Sequence, residues 1–161
     1  MLSLAALIKI FVRIDFMNQE QVIETMSIQR LVGRVANAEG HSAEQKAFFT
    51  PDAQVSIYMG EEKILEFSGL RYLEHGLKQF MANVKRCHYL LGQHTVDFLS
   101  GSKATGRLFC RAVHVTENMG EDIITDYCIY YEDIYERQHS DWLIKARDVH
   151  YFITDKRVLG I

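Results

Sequence analysis

Seven histidines are the residues of this chain best suited to chemistry near neutral pH, because an imidazole gains and loses a proton there. Strand parity says where they point. Residues 104–116 alternate as a strand. Leu108, Cys110, Ala112 and His114 share its apolar face, while Thr105, Arg107 and Arg111 share the other, so His114 is expected inward. Residues 88–99 read as a neighbouring strand. His88, Leu90, Val96 and Phe98 have one parity there, and Gln93, Thr95 and Asp97 the other. His94 shares the parity of His88 and competes with it, and Gly92 is a place where the register can shift. Two inward histidines, His88 and His114, would form a general acid–base pair; the plainer reading of each is a hydrogen-bonded core residue. His41, His75 and His139 fall in loops or exposed helical positions, and His150 lies on a strand with several polar sites. No histidine spacing matches a known metal class, so no metal is expected.

Residues 123–154 supply the next candidates. They read as two long strands joined by a polar turn at Arg137-Gln138-His139-Ser140-Asp141. Tyr127, Tyr131 and Tyr151 are expected inward, each offering an apolar ring and a hydroxyl that can fix a ligand or simply sit at the rim of a core. Asp133 shares parity with Tyr131, and Arg147 with Tyr151. An Asp133–Arg147 pair across the hairpin would be a structural bridge or the charged end of a pocket.

The elements that must carry these residues are legible in outline. Asn18 is the expected N-cap of a helix over 19–38 with a stripe of Ile28, Leu31, Val32 and Val35. Val22, Ile23 and Met26 lie on a rotated face, so this helix is expected to bend or to bury two sides. Gly40 is its natural stop. Ser42-Ala43-Glu44-Gln45 reads as a capping box for a short helix. Strands over 54–59 and 63–67 form a hairpin, and Ser68 caps an amphipathic helix running from Leu70 to about Lys85. The early helices and late antiparallel strands predict an α+β layer architecture. A curled sheet wrapped by three helices is cone-shaped, and its hollow is where a small molecule would sit.

Composition narrows the classes. The chain has 161 residues, 48% of them hydrophobic and 24% charged, which fits one globular domain. A net charge of −3 without a basic stripe argues against nucleic acid. Cys87, Cys110 and Cys128 are odd in number and far apart, so a disulfide framework is not expected and a reducing cytoplasm is the simplest setting. Residues 1–17 are read as an N-terminal extension of uncertain order, too short and too interrupted by Lys9, Arg13 and Asp15 to span a bilayer. Residues 18–161 are read as a single domain.

Several segments then combine. Phe48-Phe49-Thr50-Pro51-Asp52-Ala53, Ser68-Gly69, His88-Tyr89-Leu90-Leu91-Gly92, and Tyr131-Glu132-Asp133-Ile134-Tyr135 followed by Trp142-Leu143-Ile144 and Arg147 occur in an order and at a spacing that resemble the SnoaL-like branch of the nuclear transport factor 2-like superfamily. The resemblance spans about residues 22–153. It implies a curved antiparallel sheet wrapped by helices around a deep pocket, and a homodimer through the sheet, for which Phe109, Val113, Val115 and Tyr130 would form the outer face. In the scytalone dehydratases of this superfamily a pair of pocket histidines falls, by motif and spacing, on His88 and His114. Pocket serine and asparagine positions fall on Ile129 and Tyr131. Asn37-Ala38-Glu39 stands where those enzymes carry a Tyr-Asp pair, and Ala38 cannot polarise an imidazole. The reading that results is a pocket for a small apolar, polar-tipped molecule, with His88 and His114 as acid and base. Tyr58, Ala112, Ile129, Tyr131, Arg147 and Tyr151 are its ligand contacts. The chemistry is a dehydration or isomerisation that needs no cofactor. The alternative is a non-catalytic ligand-binding or dimerisation module of the same fold.

Overall fold

The computed structural model describes residues 18–160; the expected extension over residues 1–17 lies outside them. Helix α1 spans Gln19–Asn37, and Asn18 caps it as expected. The Asn18 side chain accepts from the Gln21 amide at 2.8 Å, and the Gln21 side chain accepts from the Asn18 amide at 3.0 Å. Ile28, Leu31, Val32 and Val35 are its buried stripe. The rotated face is not buried: Ile23 is 54% exposed and Met26 63%. After Ala38 at the C-cap, Gly40 adopts a φ of 84° that ends the helix without strain.

A one-turn helix α2, Ser42–Gln45, and a 3₁₀ turn, Lys46–Phe48, lead into the sheet. The capping box expected at Ser42 does not form, because His41 occupies the N-cap and no side chain bonds there. Strand β1 runs Phe49–Met59 and β2 Glu62–Ser68. Helix α3 spans Leu70–Phe80; its N-cap is Gly69 at φ 84°, not Ser68, and it stops five residues short of Lys85 as β3 begins at Val84. Strands β3 Val84–Ser100, β4 Lys103–Asn118, β5 Glu121–Gln138 and β6 Asp141–Val158 are all long.

The strand order is β2-β1-β6-β5-β4-β3. The sheet is curved and unclosed, and it is mixed: β1 pairs with β6 in parallel, whereas a wholly antiparallel sheet was expected. Two strands far apart in sequence, joined by a helix and four strands, are not tied by a hairpin and are free to align in parallel. Bulges bend the sheet between Leu91 and His94, between Cys128 and Ile129, and between Ile134 and Tyr135. The concave face packs on α1 and α3. Tyr135, Ile144, Ile129, Leu108 and Ile28 are almost wholly buried there. Trp142 at the start of β6 donates its indole N–H to Glu24 of α1, and Arg137 of β5 pairs with the same carboxylate at 2.8 Å.

The bulge in β3 changes the reading of that strand. Leu91 pairs with Cys110 but His94 pairs with Leu108, so three steps on β3 match two on β4. The inward set is therefore Tyr89 and Leu91 before the bulge, then His94, Val96 and Phe98 after it. Phase was right in the second half of the strand and inverted in the first.

Gly106 on β4 makes room for this face. A Cβ there would stand 2.8 Å from the Thr95 carbonyl oxygen and 2.9 Å from the Tyr135 ring. The Thr95 oxygen is backbone in a paired strand and cannot step aside. Gly106→Ala is expected to lower stability by about 1–3 kcal/mol in urea unfolding, the usual cost of overpacking a core; an unchanged midpoint would show that the strands relax freely.

Candidate functional site

A small cavity lies between α3, β1 and β6 where α1 ends. Val55, Ile57, Leu73, Leu77, Phe80 and Val149 wall it with apolar surface. Six polar side chains converge on it: Glu39, Gln45, Tyr89, Tyr131, Arg147 and Tyr151. Its free volume is about 50 Å³, against roughly 300–1,000 Å³ for open ligand pockets. The cone is thus nearly filled by its own side chains. Phe80 and Leu77 of α3, part of its wall, are both partly exposed. A larger recess of about 500 Å³ between α1 and the β5–β6 turn is a surface groove edged by the exposed Arg30, Arg34 and Asp141.

Glu39 is the ionisable group of most consequence. It follows the buried Ala38 just beyond α1, and the helix end carries its carboxyl into the cavity. Burial pushes its pKa up from 4.5 to about 7, and the Gln45 amide, donating at 2.7 Å, and the nearby Arg147 charge only partly oppose that.

Arg147 of β6 lies opposite Asp133 of β5, and both are buried. Its Nε donates to Asp133 Oδ1 and its Nη2 to Oδ2, each at 2.7 Å. The guanidinium carbon stands 4.3 Å from the Tyr131 ring centroid. Burial works against the Arg147 charge, and Asp133 more than offsets it, so the guanidinium stays protonated. Tyr135 donates to Asp133 Oδ2 at 2.8 Å, and His94 Nε2 meets the Tyr135 hydroxyl at 3.1 Å. Of the two alternatives open in the sequence, structural bridge or pocket end, the pair has the geometry of both.

His114 is 3% exposed. Its Nε2 is 2.7 Å from the Tyr89 hydroxyl, and the rings of Tyr127 and Phe80 stand edge-on to it at 5.3 and 6.4 Å. Burial depresses its pKa, which favours the neutral imidazole. It does not line the cavity itself; Tyr89 stands between them.

The remaining expected residues divide. Tyr131, Arg147 and Tyr151 line the cavity. Ala112 and Ile129 are buried in the core behind it. His88 is exposed, paired with Val113 on the outer face, because the β3 bulge inverts the parity that would have turned it inward; the His88–His114 pair is not formed. Tyr58 is also on the outer face, stacked on His150 with centroids 4.5 Å apart. Ile57, its neighbour, takes the inward place. Tyr89, Glu39 and Gln45 are not among the acid–base residues or ligand contacts expected from the sequence. Tyr89 could have been found by placing the β3 bulge at Gly92; Glu39, beyond the helix end, carries no periodicity to mark it. Among the described residues no group of three His, Cys, Asp or Glu side chains could hold a metal ion, and no helix is long and apolar enough to cross a membrane.

The Glu39 shift has a measurable sign. The folded protein holds this proton more tightly than the unfolded chain does. Stability from this group is therefore fully present below pH 4.5 and is lost as pH rises through about 7. The loss is on the order of 2–3 kcal/mol. Glu39→Gln is expected to remove it, leaving the variant more stable than the parent at alkaline pH and little changed at acid pH. Denaturant unfolding across that range checks this, and parallel pH profiles would refute a buried carboxyl.

Comparison with known proteins agrees with this fold. A protein of Novosphingobium aromaticivorans assigned as a scytalone dehydratase superposes with a TM-score of 0.76 at 18% identity, covering 89% of this chain and 94% of its own. The hexachlorocyclohexane dehydrochlorinase LinA-type3 of Novosphingobium barchaimii gives 0.72 at 14% identity, covering 88% and 94%. The β subunit assigned to an aromatic-ring-hydroxylating dioxygenase of N. aromaticivorans gives 0.71 at 12% identity, covering 84% and 93%. At such identities the likeness establishes the fold alone. No sequence match to a curated protein was found. The profile of the SnoaL-like domain matches residues 22–148, and the chain belongs to that family.

Proposed function

We propose that this protein binds a small, mostly apolar organic molecule with a polar tip in the cone cavity and moves a proton on it without a cofactor, as a dehydratase or isomerase does. The observation that carries the proposal is the convergence of Glu39, Tyr89 and Arg147 on one apolar cavity. A carboxyl that titrates near pH 7 is poised both to take and to give a proton. Tyr89 is the second group, a proton donor only, because burial pushes its pKa well above the ordinary tyrosine value. Its hydroxyl reaches the cavity while His114 Nε2 holds it from behind, so His114 acts as a positioning residue and proton partner. Arg147 offers a fixed positive edge to an oxygen that gains charge. Two structural relatives bearing the names of a dehydratase and a dehydrochlorinase lend support by fold analogy.

A second reading has its own observation. The outer face of the sheet carries an aromatic cluster in which Phe109, 38% exposed, and Phe152, 47% exposed, flank Tyr130. His150 is stacked between Tyr130 and Tyr58. Such a face suits pairing with a second copy through the sheet. Val115, expected in that patch, is buried instead.

The test is turnover. Small cyclic hydroxyketones, offered to the protein, are expected to lose water. Glu39→Gln and Tyr89→Phe are each expected to cut the rate by about 10²–10⁴-fold. If both variants stay within about tenfold of the parent, the proton-transfer reading falls and the cavity is a binding site only.

A further inference from the structure

The charge balance of the cavity bears on what it can hold. Asp133 is the counter-ion of Arg147, and its side chain is wholly buried. It is also held from a second side, since Tyr135 donates its only hydroxyl proton to Oδ2. The Tyr135 oxygen is then the acceptor for His94 Nε2–H. Gly106 gives these side chains room, since a Cβ there would stand 3.1 Å from His94 Nε2. Asp133 therefore cannot swing away to leave a free guanidinium. The fork to Asp133 uses Nε and Nη2, so Nη1 is the part of the guanidinium outside it.

Glu39 is the other carboxyl among the lining residues and their bonded partners. With Glu39 ionised, the cavity carries one positive and two negative charges. An entering carboxylate would add a third negative charge among Val55, Ile57, Leu73 and Val149. An uncompensated charge in such surroundings is strongly disfavoured. A neutral carbonyl oxygen accepts from Nη1–H and adds no charge.

We propose that the cavity selects neutral ligands that carry a carbonyl-type acceptor oxygen and rejects carboxylates. Asp133 is the residue that determines this specificity, and Tyr135 and His94 position it. The inference rests on the pocket reading above and names the class of molecule that pocket takes.

Acetophenone and benzoate share a ring and differ in charge, so their affinities for the full chain isolate the effect. Both are titrated at about pH 8, where Glu39 is ionised, and followed by ligand-observed NMR. Acetophenone is expected to bind at least about tenfold more tightly. Asp133→Asn keeps the side-chain shape and an acceptor oxygen but removes the charge. It is expected to move the ratio at least about tenfold towards benzoate, a gain of binding that misfolding cannot imitate. Glu39→Gln removes the other negative charge and should narrow the ratio in the same direction, which keeps the test in force if Asp133→Asn does not fold. Equal or stronger binding of benzoate by the parent, or an unmoved ratio in the folded variants, overturns the selection and leaves the pocket standing. Failure of the parent to bind either probe overturns the pocket reading and the selection with it.

Discussion

The Asp133–Arg147 pair is the constraint on which the middle of this structure depends. Two opposite charges are taken out of water at adjacent positions of β5 and β6, and each is tolerated only because the other is there. The planar fork fits the carboxylate through two bonds, so it fixes orientation as well as distance. It also favours one β5–β6 register, since a slip of one residue would put the two charges on opposite faces of the sheet. Around the pair, Tyr135 donates to Oδ2 of the carboxylate and the Tyr131 ring lies against the guanidinium. The glycine at 106 and the inward turn of His94 are part of the same arrangement.

That arrangement reaches the cavity at one end. Arg147 lines it beside Glu39, and the two groups have opposite histories. Arg147 keeps its charge because it has a buried partner. Glu39 has no buried cation bonded to it, and burial holds its proton up to about pH 7 against the partial opposition of the Gln45 amide and the Arg147 charge. A pocket with one fixed charge pair and one labile proton is a different chemical object from a pair of histidines. His114 is part of it at one remove, through the hydroxyl of Tyr89. Phe80 and Leu77 of α3 belong to the apolar wall, while Tyr89, Tyr131, Arg147 and Tyr151 sit on strands and Glu39 and Gln45 in the segment that follows α1.

Much of this was readable in advance. The periodicity of Ile28, Leu31, Val32 and Val35, the alternation along β4 to β6 and the polar turn at residues 137–141 determined the elements, the layer class and the inward faces of Tyr131, Tyr151 and Arg147, because period and face are local properties of a strand or helix. The possible Asp133–Arg147 contact followed from parity alone. The motif order around Phe48, Ser68, His88 and Trp142 indicated the family.

What only the tertiary structure decided is the set of facts that depend on pairing between strands and on where an element ends. A bulge exists only relative to a partner strand, so the inversion that exposes His88 and turns Tyr89 inward could not be read from β3 by itself. The parallel β1–β6 pairing is likewise a relation between distant segments. Glu39 lies past the helix, where no period applies, and its proton affinity comes from the walls that α3, β1 and β6 raise around it. Sequence determined which residues could face inward; packing decided which of them share a cavity and in what state of charge.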